Sequence, residues 1–85
     1  FHDALIAENL HMISNPFPIK RVIGAKTRYR QPDAACQIDQ IEKNQLTSLF
    51  GQKQWAITPG QYVVFYDSNV CLGGGVIHSA YNSFN

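Results

Sequence analysis

Six consecutive residues, Lys26-Thr27-Arg28-Tyr29-Arg30-Gln31, hold the side chains best suited to gripping a ligand. Lys and Arg neutralise phosphates, Arg can also fork onto a base edge, and Tyr can stack on an unstacked base. If the stretch is extended, alternate residues share a face. Lys26, Arg28 and Arg30 then stand on one side about 7 Å apart, twice the strand rise and close to the spacing of successive phosphates. The same alternation turns Ile23, Ala25, Thr27 and Tyr29 toward a core. Charge patterning agrees with an anion-binding face: residues 9–31 contain no Asp or Glu and carry Lys20, Arg21, Lys26, Arg28 and Arg30, five of the seven basic residues in a chain of net charge +1. A solvated strand face would carry the same residue types.

Other chemistries fail on inspection. Gly73-Gly74-Gly75 lacks the Gly-Lys-Ser/Thr ending of a phosphate loop and reads as a bend or a close backbone approach. Cys71, between Val70 and Leu72, has no neighbouring base to activate it. His2, His11 and His78 are isolated, and Cys36 and Cys71 have no zinc-ligand spacing, so no metal ligands are assigned. The two cysteines could bridge in a secreted protein. Their apolar or small neighbours favour two buried free thiols in a reducing compartment. The six carboxylates are scattered and give no acid–base pair, so no catalytic residue is assigned.

The elements that must carry the basic stretch read as short strands. Eighty-five residues make one domain, which hides only about 60–65% of its unfolded surface. A hydrophobic share of 45% is that of a globular protein. No apolar run approaches the roughly 20 residues of a membrane span. The chain starts at Phe1 without Met or a signal-peptide pattern and reads as a piece of a longer protein. Residues 4–13 give two short strands, or one interrupted near Glu8-Asn9. Ser14-Asn15-Pro16-Phe17-Pro18 is a loop. Residues 21–30 are the longest strand candidate, ended by Gln31-Pro32. Residues 34–39 and 46–50 alternate as strands around a turn at Glu42-Lys43-Asn44, and strand is favoured over helix for residues 39–50. Residues 51–54 read as a polar loop and Trp55-Ala56-Ile57 as a brief strand. Thr58-Pro59-Gly60-Gln61 is a tight turn. It leads into Tyr62-Val63-Val64-Phe65-Tyr66, a strand too apolar on both sides to have a solvated face. After a turn at Asp67-Ser68-Asn69 the chain returns through Val70 to Ile77, bent at the three glycines, and residues 81–85 fray. Six or seven short strands with regular turns predict a small closed or nearly closed antiparallel barrel.

Four motifs in this order and spacing resemble the C-terminal domain of the bacterial tRNA-specific 2-thiouridylases. They are Lys26-Thr27-Arg28-Tyr29-Arg30-Gln31, Thr58-Pro59-Gly60-Gln61, Val64-Phe65-Tyr66 and Val70-Cys71-Leu72-Gly73-Gly74-Gly75. Leu10-His11-Met12-Ile13 is similar to a further family segment, with Met12 where Trp is usual. The likeness spans roughly residues 5–77. It implies an all-β, six-stranded antiparallel barrel resembling domain 2 of translation elongation factors, with the whole chain as that C-terminal domain. It implies a parent that is a cytoplasmic three-domain enzyme. That enzyme uses ATP to activate wobble uridine U34 in tRNAs for Lys, Glu and Gln, takes sulfur from a sulfur-relay protein, and leaves 2-thiouridine. The family's tRNA contacts fall on Arg28, Tyr29 and Gln61, beside the cations Lys26 and Arg30. A Tyr29 contact conflicts with the alternation, which turns Tyr29 inward. The family's Ser-Gly-Gly-x-Asp-Ser ATP loop and catalytic cysteines are absent, so the segment itself would bind no cofactor and transfer no sulfur. A second reading is a structural barrel that docks on the catalytic domain or a sulfur-relay partner, with Arg28 and Arg30 in ion pairs and an apolar patch around Phe17, Phe50 or Trp55.

Overall fold

Alternating burial, rather than continuous hydrophobicity, builds this molecule. A computed structural model describes residues 1–27, 32–54 and 57–83. Six strands follow one another: β1 (His2–Met12), β2 (Val22–Lys26), β3 (Ala34–Glu42), β4 (Gln45–Gln54), β5 (Tyr62–Asp67) and β6 (Val70–Tyr81). All pairings are antiparallel and close a barrel in the order β1-β4-β3-β2-β5-β6. There is no helix among the described residues, hence none long and apolar enough to cross a membrane. Closure leaves no edge strand open to a second chain.

The inward residues form one core. Ile23 and Ala25 from β2, Cys36 and Ile38 from β3, Leu46 and Phe50 from β4, Val63 and Phe65 from β5, and Leu72 and Ile77 from β6 meet Leu5 and Ala7 of β1. Phe17 enters from the β1–β2 connection and packs edge-on against Phe65, with ring centroids 5.9 Å apart. Ile57 enters from the β4–β5 connection. Each barrel end is thus plugged by an apolar side chain from a loop. Phe17 and Phe50 are therefore core residues and form no exposed patch, while Trp55 lies outside the described residues.

Turns and bends follow their residue types. Lys43 and Asn44 both take positive φ (51° and 61°), the geometry that matches hairpin twist. Ser68 (φ 54°) turns β5 into β6. The expected pair of strands at the N-terminal end is the single strand β1, interrupted where Asn9 takes φ 51° and the pairing with β6 shifts between Glu8 and His11. The three glycines sit inside β6, where the pairing with β5 shifts between Phe65 and Tyr66. Gly73 has φ 139°, and a Cβ built there would overlap the His11 carbonyl oxygen. Only glycine meets both demands.

Several expectations from the sequence are corrected. Residues 51–54 are strand, because β4 continues to Gln54 and pairs with His2. Their polar composition reflects an outer surface and not a loop. β2, from Val22 to Lys26, is the shortest of the six strands, and residues 28–30 of the expected longest strand lie outside the described residues. β5 does have a partly solvated face: Val63 and Phe65 are buried, whereas Tyr62 is 49% exposed. Ile57 is buried but outside any strand, and Trp55 and Ala56 are not among the described residues. The C-terminal segment is tied down at Ser83, which donates its backbone N–H to Asp3 Oδ1 (2.7 Å) and its hydroxyl to Asp3 Oδ2 (2.9 Å). Phe84 and Asn85 lie outside the described residues. Both cysteines are free, but only Cys36 is buried, since Cys71 is half-exposed.

Candidate functional site

The strand directions sort the molecule into two ends. β2, β4 and β6 finish, and β1, β3 and β5 begin, at one end, which we term the upper rim. The β2–β3 and β4–β5 connections lie there, together with Ser83. The lower rim carries the β3–β4 and β5–β6 turns and the β1–β2 connection.

Lys26 closes β2 at the upper rim. The strand alternates as expected, with Ile23 and Ala25 buried and Val22, Gly24 and Lys26 outward. The ammonium sits 3.6 Å from Asp33 Oδ1 and 5.6 Å from the centroid of the Tyr66 ring, so it is held between a carboxylate and an aromatic face. Asp33 reaches this position by lying across Gly24, where any Cβ would meet its carboxylate oxygen at 2.8 Å. Arg28, Tyr29, Arg30 and Gln31 belong to the β2–β3 connection and lie outside the described residues, as does the inward or outward orientation of Tyr29.

Gln61 reaches the same rim by a different route. Pro59 and Gly60 (φ 91°) form the middle of a turn closed by the Gln61 N–H donating to the Thr58 carbonyl at 3.2 Å. Pro followed by a positive-φ Gly is the type II pattern. The turn is stitched to β6: Gly60 N–H donates to Ile77 O (2.8 Å), and Ile77 N–H donates to Gln61 O (2.7 Å). The backbone of Gln61 is thus fixed, whereas its side-chain Oε1 is buried with no hydrogen-bond donor among the described residues.

Pairing of β2 with β5 brings the two motifs together. Lys26 lies opposite Val64, and Gln61 is three residues further toward the upper rim. Beside them the β3–β4 pairing ends at Cys36 and Phe50. The strands then part to leave a cleft of about 740 Å³ between Pro32, Asp33, Ala34 and Ala35 on one side and Gly51, Gln52 and Gln54 on the other. Neither motif alone signals the cleft. It follows from a splay of strands that no local pattern announces.

The basic window does not form one face. Lys20 lies 2.7 Å from Asp39 and Arg21 2.6 Å from Asp67, and both pairs are at the lower rim. By strand and loop membership, the lower rim has Lys20, Arg21 and Lys43 against Glu8, Asp39, Glu42 and Asp67. Among the described residues the upper rim has Lys26 and Lys53 against Asp3 and Asp33. Among the described residues neither rim therefore carries an excess of cations, and the remaining two basic residues, Arg28 and Arg30, lie outside the described residues. Among the described residues no group of three His, Cys, Asp or Glu side chains could hold a metal ion.

Burial raises the Cys36 thiol above its ordinary pKa, and the neighbouring Ser48 hydroxyl opposes this only in part. Ser48 Oγ makes no hydrogen bond of ordinary length, so its contact with the thiol is weak. A buried neutral thiol beside a hydroxyl has no nucleophilic activation. Asp3 is held below the usual carboxylate range, first by the Ser83 N–H and then by the Ser83 hydroxyl. It holds β1 to the segment after β6 and has no acid–base partner among the described residues.

Residues 2–77 match the aminomethyltransferase β-barrel domain family. The tRNA-specific 2-thiouridylase MnmA of Methylobacillus flagellatus is 60% identical over 80 residues, covering 93% of this chain and 22% of that protein. Its counterpart in Bordetella pertussis is 51% identical over 73 residues (86% and 20%). That of Aeromonas hydrophila is 45% identical over 83 residues (96% and 23%). The chain spans about a fifth of the length of these relatives. It belongs to the aminomethyltransferase β-barrel domain family, in the form found as the C-terminal domain of the tRNA-specific 2-thiouridylases.

Proposed function

We propose that residues 1–85 are the tRNA-binding C-terminal barrel of a tRNA 2-thiouridylase, which converts wobble uridine U34 of tRNAs for Lys, Glu and Gln to 2-thiouridine. The observation that carries this reading is the meeting of Lys26 and Gln61, 35 residues apart in sequence, at one rim of the barrel. Lys26, Arg28 and Arg30 neutralise phosphates, Tyr29 stacks on an unpaired base, and Gln61 hydrogen-bonds an exposed donor. Gln61 Oε1 has no internal bond to lose when it turns toward RNA. Its backbone, pinned to Ile77, keeps the reach of the side chain short and defined.

The barrel's part in the reaction is positional. Holding the anticodon arm in one orientation lets U34 meet a reactive centre elsewhere in the polypeptide, which converts a slow encounter into an oriented one. ATP, sulfur delivered by a relay protein and the catalytic cysteines are supplied outside these residues, in a cytoplasmic enzyme. The test is the affinity of the full-length protein for tRNA-Glu before and after Arg28→Ala. The expected loss is about 1–3 kcal/mol, and an unchanged affinity overturns the reading.

A further inference from the structure

We infer that the outer wall of β5, next to Gln61, is a subsite for an unpaired nucleotide of the RNA: Tyr62 stacks on its base and Lys26 takes the adjoining phosphate. Tyr62, Val64 and Tyr66 alternate with the buried Val63 and Phe65, so all three stand on the outside of the barrel. Tyr62 opens β5 and is 49% exposed, the most of any tyrosine among the described residues. Its ring does not project freely. It lies across Gly74 of β6, with Cε2 2.9 Å from the point where a Cβ would stand. A ring braced in this way has already given up rotamer freedom on folding, so stacking a base on it costs little further ordering.

The β2–β5 ladder sets the phosphate position. Lys26 stands opposite Val64. Tyr62 is two residues from Val64, about 7 Å along the strand and close to the spacing of successive phosphates. Tyr66, two residues to the other side of Val64, has the ammonium 5.6 Å from its ring centroid and keeps it over this wall. It acts through Lys26 as a positioning residue. The outward neighbours are Val22 and Gly24 on β2 and Val76 on β6. Asp33, laid across Gly24, is the acid beside the ammonium, and Asp67 at the far end of β5 is held by Arg21. A duplex would present mainly phosphates to this wall. One cation beside aromatic and aliphatic surface matches a base and its phosphate in single-stranded RNA, where bases are free to stack. The inference rests on the proposed function for RNA as the ligand. It goes further in specifying an unpaired nucleotide and in naming Tyr62, which lies between the Thr58–Gln61 and Val64–Tyr66 motifs and belongs to neither.

Fluorescence anisotropy with labelled tRNA-Glu and the full-length protein tests the subsite. Tyr62→Leu still covers Gly74 but offers no aromatic face, so it separates packing from stacking. It should raise the dissociation constant roughly 5- to 100-fold, the loss of one stacked base. Its log–log salt slope should match the parent's, because no phosphate contact is removed. Tyr62→Phe keeps the ring and should bind within about twofold of the parent. Tyr66→Leu should weaken binding only while Lys26 is present and change nothing further in a Lys26→Ala background. A labelled single-stranded oligouridylate should bind the parent more tightly than Tyr62→Leu, whereas a blunt RNA duplex should bind both equally. Parental tRNA affinity in Tyr62→Leu overturns the inference, as does an equal loss in Tyr62→Phe. So does normal tRNA binding by Tyr62→Leu with faster cleavage between the barrel and the rest of the chain, since the wall is then a protein contact. If Tyr62→Leu weakens binding while Arg28→Ala does not, the subsite stands and the Arg28 contact falls. If only Arg28→Ala weakens it, the subsite falls alone.

Discussion

Removing the Asp33 carboxylate should tighten the grip of the full-length protein on tRNA, and removing Lys26 should loosen it. The two groups lie 3.6 Å apart with about a third of each side chain exposed. A pair this solvated is worth about 1 kcal/mol or less. A phosphate arriving at Lys26 must compete with Asp33 for the ammonium and must also sit near its negative charge. With the pair at 3.6 Å and a phosphate at hydrogen-bonding distance beyond, the two anions are roughly 6–7 Å apart, a repulsion of about 0.6 kcal/mol in a water-like dielectric before screening. Asp33→Ala should therefore lower the dissociation constant about 2- to 10-fold, most at low salt. Lys26→Ala should raise it about 5-fold and flatten the log–log salt slope by about 0.7–0.9, the signature of one lost phosphate contact. Fluorescence anisotropy with labelled tRNA-Glu between about 50 and 300 mM salt reads both quantities. Because the pair is weak, both variants should melt close to the parent. If Asp33→Ala instead weakens binding as much as Lys26→Ala, the competition argument is wrong, and Asp33 either orients Lys26 or touches the RNA itself.

Gly73→Ala should cost about 3 kcal/mol or more, because its Cβ would overlap the His11 carbonyl at a φ that L-residues avoid; chemical denaturation measures it, and a loss below about 1 kcal/mol would show that β1 and β6 can part freely. Asp3→Ala should destabilise the protein at neutral pH, since Ser83 lowers the Asp3 pKa in the folded state. The stabilisation is present above the unfolded value near 3.8 and lost as pH falls through the lower folded value, so the two proteins should converge in stability in strong acid. An alkylating reagent should modify half-exposed Cys71 well before buried Cys36, whose thiol resists ionisation; mass spectrometry of the native protein gives the order, and Cys36 reacting first would refute the core assignment.

What could be read from the sequence was local. Pro59-Gly60 dictates its own turn, Lys43-Asn44 its hairpin, and the period of two in β2 places Lys26 outward before any partner strand is known. The errors share one cause, namely that sequence nearness was taken for spatial nearness. Lys20 and Arg21 seemed to extend the cationic face because they precede Lys26 by a few residues. In an extended strand, however, five residues separate Arg21 from Lys26 by about 16 Å, enough to put them at opposite ends of a small barrel. Their partners Asp39 and Asp67 come from β3 and β5, and no pattern within residues 9–31 could announce them. Residues 51–54 were misread for a related reason. Strand residues on an outer face have no hydrophobic signature, and only pairing with His2 marks them as β4.

Barrel closure is what turns two weak local signals into one site. Lys26 and Gln61 meet because β2 pairs with β5, and β5 is held in turn by β6. A slip of one residue in either ladder would send Lys26 inward and Ala25 out, so the site depends on register as much as on residue type. Register is pinned from two directions. The irregularity between Phe65 and Tyr66 lets the glycine run of β6 fit against β5, and the Gly60 and Gln61 backbones clasp Ile77 at the other end of the same strand pair. A glycine with no role in binding thereby determines where a cation points. It follows that Gly73→Ala should weaken tRNA binding even under conditions where the barrel remains folded, whereas the exposed Val70→Asp, outside that clasp, should leave the intrinsic contacts of Lys26 and Gln61 in place.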